Sequence, residues 1–177
     1  VEMVGTTDDP IDHLTFHKRL NENHDFKTKV VPTFRPDQVF QLSKGDKFRS
    51  YLQKLSDSSG IQIDHIDSLL QALDQRINYF DALGCVASDH GLKYLPKRGR
   101  FKLAEVNAVF VDVLQGDDTR ALEFEDSFTF YVLSELCKKY HAKQWAQQFH
   151  LGPLRDTNKG RLAILGADTG YDSIGDY

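Results

Sequence analysis

Short β-branched runs alternate with stripes of apolar residues at helical spacing along this chain. The first apolar run, 1–4, predicts a strand ended by Gly5. Asp9-Pro10 then offers an N-cap followed by a proline at the first helical position, with Ile11, Leu14, His17 and Leu20 as the inner stripe. A second strand is predicted over 27–33 around Val30 and Val31, leading through Arg35-Pro36-Asp37 to Phe48, Tyr51, Leu52 and Leu55 at helical spacing. Ile66, Leu69, Leu70, Leu73, Ile77 and Phe80 form the clearest helical stripe, and Gly84 stands where a C-terminal cap is expected.

A third strand is predicted over 85–88. Two further stripes follow, Leu103, Val106, Phe110 and Val113, and after Gly116 the set Phe124, Phe128, Tyr131, Val132 and Leu136. They predict two helices inserted between strands, the insertion spanning 93–140, because structureless loops of that length are rare in compact domains. A short fourth strand over 147–151 and a short helix ending at Gly166 complete the series.

Alternating strands and helices imply parallel strands joined by right-handed crossovers, so the fold class is α/β. Polar residues gather where each predicted strand ends: Thr6, Thr7, Asp8 and Asp9 after the first, Arg35 after the second, Ser88, Asp89 and His90 after the third, and His150 and Arg155 at the fourth. In a (β/α) barrel those ends share one rim, which carries the catalytic groups. A doubly wound sheet concentrates ligands at a single switch point instead. The recurrence therefore favours a partial (β/α)8, TIM-barrel-like fold of about four βα units, with 1–177 as one α/β region. There is no GxGxxG, no P-loop and no GxSxG elbow.

Composition narrows the partners. The 177 residues carry a net charge of −4, with an isoelectric point near 6.0, which argues against nucleic acid, since phosphate binding needs a concentrated basic face. The one tight basic cluster, Lys97, Arg98, Arg100 and Lys102, reads as a solvated loop. No apolar run reaches the roughly 20 residues of a membrane helix, so no membrane association is expected. Cys85 and Cys137 form no CxxC motif and read as buried thiols in a reducing compartment. Both ends of the chain look cut, Val1 opening within a strand and Asp176-Tyr177 closing just after a turn-like segment.

Each polar residue at the rim has a structural alternative. Asp8 and Asp9 suit helix capping. Arg35 could be a surface cation, although the Pro-Asp turn after it fixes its direction. Asp89 follows an apolar strand, where an unpaired carboxylate is costly, so it should have a partner. His90 could turn outward. His150 is the strongest candidate, because a strand histidine beside Gly152 and followed by Arg155 can present its imidazole to a metal or a sugar hydroxyl. His13, His17, His24, His65 and His141 are expected to face solvent. With no HxH pair, one histidine and scattered carboxylates fall short of the three protein ligands of a catalytic zinc.

Four motifs, Val4-Gly5-Thr6-Thr7-Asp8-Asp9-Pro10, Thr33-Phe34-Arg35-Pro36-Asp37, Ser88-Asp89-His90-Gly91-Leu92 and His150-Leu151-Gly152-Pro153-Leu154-Arg155, together resemble the uronate isomerase family, also called glucuronate isomerase, a branch of the amidohydrolase superfamily. The closing run Gly166-Ala167-Asp168-Thr169-Gly170-Tyr171-Asp172-Ser173-Ile174 is similar to the family as well. The resemblance implies a metal-associated, distorted TIM barrel interconverting aldose and ketose hexuronates, glucuronate with fructuronate and galacturonate with tagaturonate, in bacterial cytoplasm. It implies site roles for Arg35, Asp89, His150 and Arg155: the arginines as substrate-binding groups, His150 and Asp89 as catalytic groups, and His150 also as a metal ligand.

The family's HxH metal pair, the Tyr soon after it, and the Trp and Asp-x-Arg of its last strands have no counterpart here. The chain therefore corresponds to strands two to five of eight, with Pro153 where the family usually has Ala. A divalent metal, zinc, is implied for the complete enzyme, with none bound by this piece alone, and a homo-oligomer is implied as its assembly. Two other readings remain open on the residues: a related metal-dependent hydrolase using the same rim, and a non-catalytic half barrel that survives by self-association.

Overall fold

The computed structural model describes residues 1–167 and 169–175, so Asp168 of the closing motif and the chain end at Asp176-Tyr177 lie outside the described residues. Its elements run β1 (Met3–Asp8), α1 (Thr15–Asn21), β2 (Lys29–Phe34), two short 3₁₀ turns (Asp37–Phe40 and Leu42–Lys44), α2 (Asp46–Ser59), α3 (Ile66–Ala82), β3 (Ala87–Leu92), α4 (Leu103–Leu114), α5 (Ala121–Ala142), β4 (Ala146–Leu151), β5 (Pro153–Leu154), α6 (Lys159–Leu165) and β6 (Ser173–Ile174). Strands β1 to β4 form one parallel sheet in chain order, and β5 and β6 a small antiparallel pair. Chain order equal to spatial order is the arc of a singly wound (β/α) barrel, as the sequence predicts.

The helices cover one face of that arc. Phe34 at the end of β2 is fully buried, packed edge-on to Phe80 of α3 at 5.1 Å and against Tyr140 of α5 and Trp145. Such ring pairs add about 0.5–1.5 kcal/mol beyond burial alone. Phe48 of α2, Phe110 of α4 and Phe128 of α5 make a second buried aromatic cluster, with the last two rings stacked at 5.4 Å. The helical stripes at 66–80, 106–113 and 124–136 fill this core, while Leu103, at the start of α4, stays exposed.

The strand limits differ from expectation in a consistent direction. Strand β1 continues past Gly5 to Asp8 and β3 past Ser88 to Leu92, so Thr6, Thr7 and Asp8 lie within strand and Asp89 and His90 near the middle of one. The first helix begins at Thr15, after a left-handed Leu14, rather than at Pro10. Asp9 is consequently no helix cap: it accepts from the Ile11 amide, the Tyr51 hydroxyl and the Gln38 amide group, and closes the loop onto α2. Burial outweighs these hydrogen bonds and raises its pKa.

His17 is buried, as its place in the inner stripe of the first helix implied, and does not face solvent like the other helix and loop histidines. Its Nε2 lies 2.7 Å from Thr6 Oγ1, whose hydroxyl donates to Asp8 at 2.6 Å, so the polar end of β1 is satisfied internally by α1. The other four helix and loop histidines are exposed, and so are Lys97, Arg98, Arg100 and Lys102. Cys85 is buried, its thiol pushed up to about 11 chiefly by desolvation, while Cys137 is only half-buried. No helix among the described residues is long and apolar enough to cross a membrane.

Candidate active site

The register between β3 and β4 decides which side chains meet. Asp89 is level with Gln148 and Gly91 with His150. Parallel neighbours at the same level share a face, and alternate residues share it along each strand. These four positions therefore point away from the helical core, while His90 and Phe149 point into it.

On the face away from the helices, Asp89 Oδ1 lies 2.7 Å from His150 Nδ1. Its Oδ2 lies 3.5 Å from Nη1 of Arg35, which enters from the residue just after β2. The carboxylate is 5% exposed, so it has the partners that burial of a charge demands. The His150 side chain is 55% exposed and presents its other nitrogen outward. Gln148 Nε2 sits 3.2 Å from that Nε2. An amide nitrogen only donates, so Nε2 accepts and the proton resides on Nδ1, donated to Asp89. The arrangement turns Nδ1 onto a carboxylate and leaves Nε2 beside Gln148.

Arg35 is held on two sides. Its Nε donates to Asp37 Oδ2 at 2.7 Å, and the Gly91 amide donates to the same oxygen at 2.9 Å. The Asp37 hydrogen bond is the main cause of a raised Arg35 pKa, opposed by partial desolvation and aided by the charges of Asp37 and Asp89. The guanidinium lies directly over the β3 backbone at Gly91, where an added Cβ would fall 2.2 Å from Nη2. Only glycine leaves that room.

Arg155 reaches the same opening by a different route. It donates through Nη1 to Asp172 Oδ2 at 2.5 Å, and Asp172 Oδ1 accepts from the Asp156 amide at 3.0 Å. The Asp156 amide first, and Arg155 second, hold the Asp172 carboxyl below its usual range. Arg35, His150 and Arg155, with Phe149, Ser173 and Ile174, line one open cleft of about 560 Å³. Three of the four residues singled out from sequence thus form one contact set, Arg35, Asp89 and His150, and Arg155 faces the same cleft without touching it.

His90 is resolved the other way. It is fully buried on the helix side, stacked on Phe149 at 5.1 Å, and burial lowers its pKa to about 4, so its ring is neutral and lies behind the cleft wall without lining it. Sequence reading missed Asp37, Gly91 and Gln148. The available signal was spacing: Asp37 lies two residues beyond Arg35 across a proline, and Gly91 and Gln148 lie two residues from Asp89 and His150 on their own strands.

The residues present do not make a metal site by themselves. Among the described residues no group of three or more His, Cys, Asp or Glu side chains could hold an ion. The nearest donors to the cleft are one imidazole and one carboxylate already bonded to each other, fewer than the three protein ligands a catalytic zinc takes.

Comparison with known proteins gives a uniform result. The family described as glucuronate isomerase matches residues 1–177. Uronate isomerase of Caldanaerobacter subterraneus subsp. tengcongensis is 45% identical over 177 residues, covering 100% of this chain and 37% of its own length. The Salmonella heidelberg enzyme is 41% identical over 176 residues, with 99% and 37% coverage. Crystal structures of uronate isomerase from Thermotoga maritima (TM-score 0.85, 29% identity) and of glucuronate isomerase from Caulobacter crescentus (TM-score 0.82, 26% identity) each superpose on 100% of this chain, using 38% and 36% of theirs. The chain spans little more than a third of the relatives it matches.

Proposed function

We propose that this chain, which belongs to the glucuronate isomerase family, supplies the proton-handling and carboxylate-binding side of an enzyme that interconverts aldose and ketose hexuronates. In this reading D-glucuronate becomes D-fructuronate and D-galacturonate becomes D-tagaturonate. Residues 1–177 are one α/β region of its barrel, with 93–140 as a helical insertion. The observation that carries the reading is the Asp89–His150 pair beside Arg35, set in a cleft that Arg155 also lines.

The reaction moves a hydrogen between C1 and C2 and a proton between their oxygens, with no net oxidation. A base must take the proton and return it to the neighbouring carbon or oxygen. His150 suits that task because Asp89 fixes its tautomer, leaving Nε2 unprotonated toward the cleft, and stabilises the imidazolium that forms on protonation. A planar guanidinium matches a carboxylate bidentately, so Arg35 and Arg155 hold the uronate carboxylate or its neighbouring hydroxyls and fix the sugar's direction.

A divalent metal, zinc in this reading, would polarise the sugar's carbonyl when bound. In the alternative in which His150 Nε2 would contribute a nitrogen to it, the other ligands would come from the rest of the enzyme and the ring would not serve as the base, since Nδ1 is already held by Asp89. The setting proposed is the cytoplasm, and the assembly a homo-oligomer. The test is an assay of hexuronate isomerisation in a full-length enzyme carrying this segment. His150→Asn should lower kcat by about 10²–10⁴, the usual contribution of a positioned acid–base group, while Arg155→Ala should raise KM. Metal analysis and the same assay on the isolated 177 residues should give no bound zinc and no turnover. Turnover by the isolated chain would overturn the reading that it supplies only part of the site.

A further inference from the structure

We propose that Asp37 is the positioning residue that aims Arg35 into the cleft, itself seated by the Gly91 amide. An arginine side chain on a surface turn has several freely rotating bonds, and holding one geometry costs rotamer entropy unless something else fixes it. Here the fixing is specific. Asp37 Oδ2 takes the Nε–H of Arg35 at 2.7 Å, which leaves the end-on pair Nη1 and Nη2 as the edge still available for a second carboxylate. Nη1 also leans toward Asp89 at 3.5 Å, so the guanidinium plane is pinned by two carboxylates that occupy different edges.

Asp37 is in turn over-determined by strand β3. The Gly91 amide donates to Oδ2 at 2.9 Å. Oδ1 is buried without a hydrogen-bond partner, and so is His90 Nδ1, which lies 3.8 Å from it. These two complementary atoms face one another, and the His90 ring cannot swing away because it is stacked on Phe149 and flanked by Tyr140 and Phe40. Pro36 fixes the turn between Arg35 and Asp37, closed by the Val39 amide bonding to the Pro36 carbonyl at 2.9 Å. Two residues of β3 thus act on one arginine: Asp89 by charge and Gly91 through Asp37.

The inference rests on Arg35 binding the substrate carboxylate, and the test separates the two. In a full-length enzyme carrying this segment, Arg35→Ala is measured first, and an unchanged KM for glucuronate would overturn the role of Arg35 itself. With that role standing, Asp37→Asn should raise KM about tenfold while kcat changes less than about threefold, the pattern of lost uniform binding. Gly91→Ala, which keeps the carboxylate but pushes its Cβ onto Nη2, should give the same split.

In the Arg35→Ala background, Asp37→Asn should have no further effect on KM. Added guanidinium ion should restore Arg35→Ala only when Asp37 is intact. An Asp37→Asn enzyme with unaltered KM, or with an effect that adds in full to Arg35→Ala, overturns the proposal, as does guanidinium rescue that persists in the double variant. A thermal melt matching the parent shows that the shift in KM is not loss of fold.

Discussion

A buried imidazole with no hydrogen-bond partner on either nitrogen should register in the acid stability of the protein. His90 has an unfolded-state pKa near 6.5 and a folded one of about 4, because burial disfavours its cation. The sign follows from proton counting: between those values the unfolded chain binds a proton that the folded chain refuses, so stability is intact above 6.5 and falls as pH drops toward 4. At pH 5 the loss should be about 2 kcal/mol relative to pH 7, at about 1.4 kcal/mol per pH unit. Urea midpoints at the two pH values check this, with His90→Gln, which cannot titrate, losing that part of the slope. The same residue shows why the site was only partly legible in sequence. Asp89 and His90 are adjacent polar residues of one strand, and nothing local tells which faces the cleft. The register with β4 decides it, and that register is a property of pairing between segments about 60 residues apart.

Among the elements, α3 does more than fill the core. Its Arg76 is 3% exposed and has no carboxylate partner; it donates instead to the backbone carbonyls of Pro10, Ser58 and Asp12, at 2.6, 3.1 and 2.8 Å. It also stacks over Tyr79 at 4.0 Å. Those carbonyls belong to the loop after β1 and the end of α2, so one side chain ties two connections to the helix. Arg76→Met, similar in volume, leaves three acceptors without a donor and should cost about 3 kcal/mol by urea denaturation. Arg100→Met, which removes an exposed pair with Glu123 and an exposed contact with the Phe101 ring, should move the midpoint far less. The long helices were readable because each buries one stripe at helical spacing, as with Leu69, Leu73, Ile77 and Phe80. The strand ends were not, because these strands turn polar before they stop. Thr6, Thr7, Asp8 and Asp89 continue the pleat while the hydrophobic signal has already ended. Asp9-Pro10 misled for a related reason: a helix-start pattern here serves a loop that Asp9 fastens to Tyr51 and Gln38.

At the scale of the whole molecule, the sheet is an open arc. Its helical face is packed, the face bearing Asp89 and His150 opens into the cleft, and among the described residues β1 and β4 are the edge strands. Apolar side chains are exposed at one edge, Met3 and Val4, again at the cleft, where Ile174 is 81% exposed, and on α6, where Ile164 is 74% exposed. Long open edges beside exposed apolar groups template pairing with further strands. The relatives, of which this chain spans 37%, have sequence enough to supply such strands. The isolated 177 residues should therefore self-associate, with a light-scattering mass that rises with concentration over the micromolar range. Lysine at Met3 and Val4 together should shift that rise to higher concentration, because charged residues on an edge oppose strand addition. Circular dichroism of both chains should stay α/β, since neither substitution touches the helical core. A monomer at every concentration would mean that the edges are not adhesive. An equal rise in the lysine variant would place the contact at the β4 edge or on α6 instead of at β1.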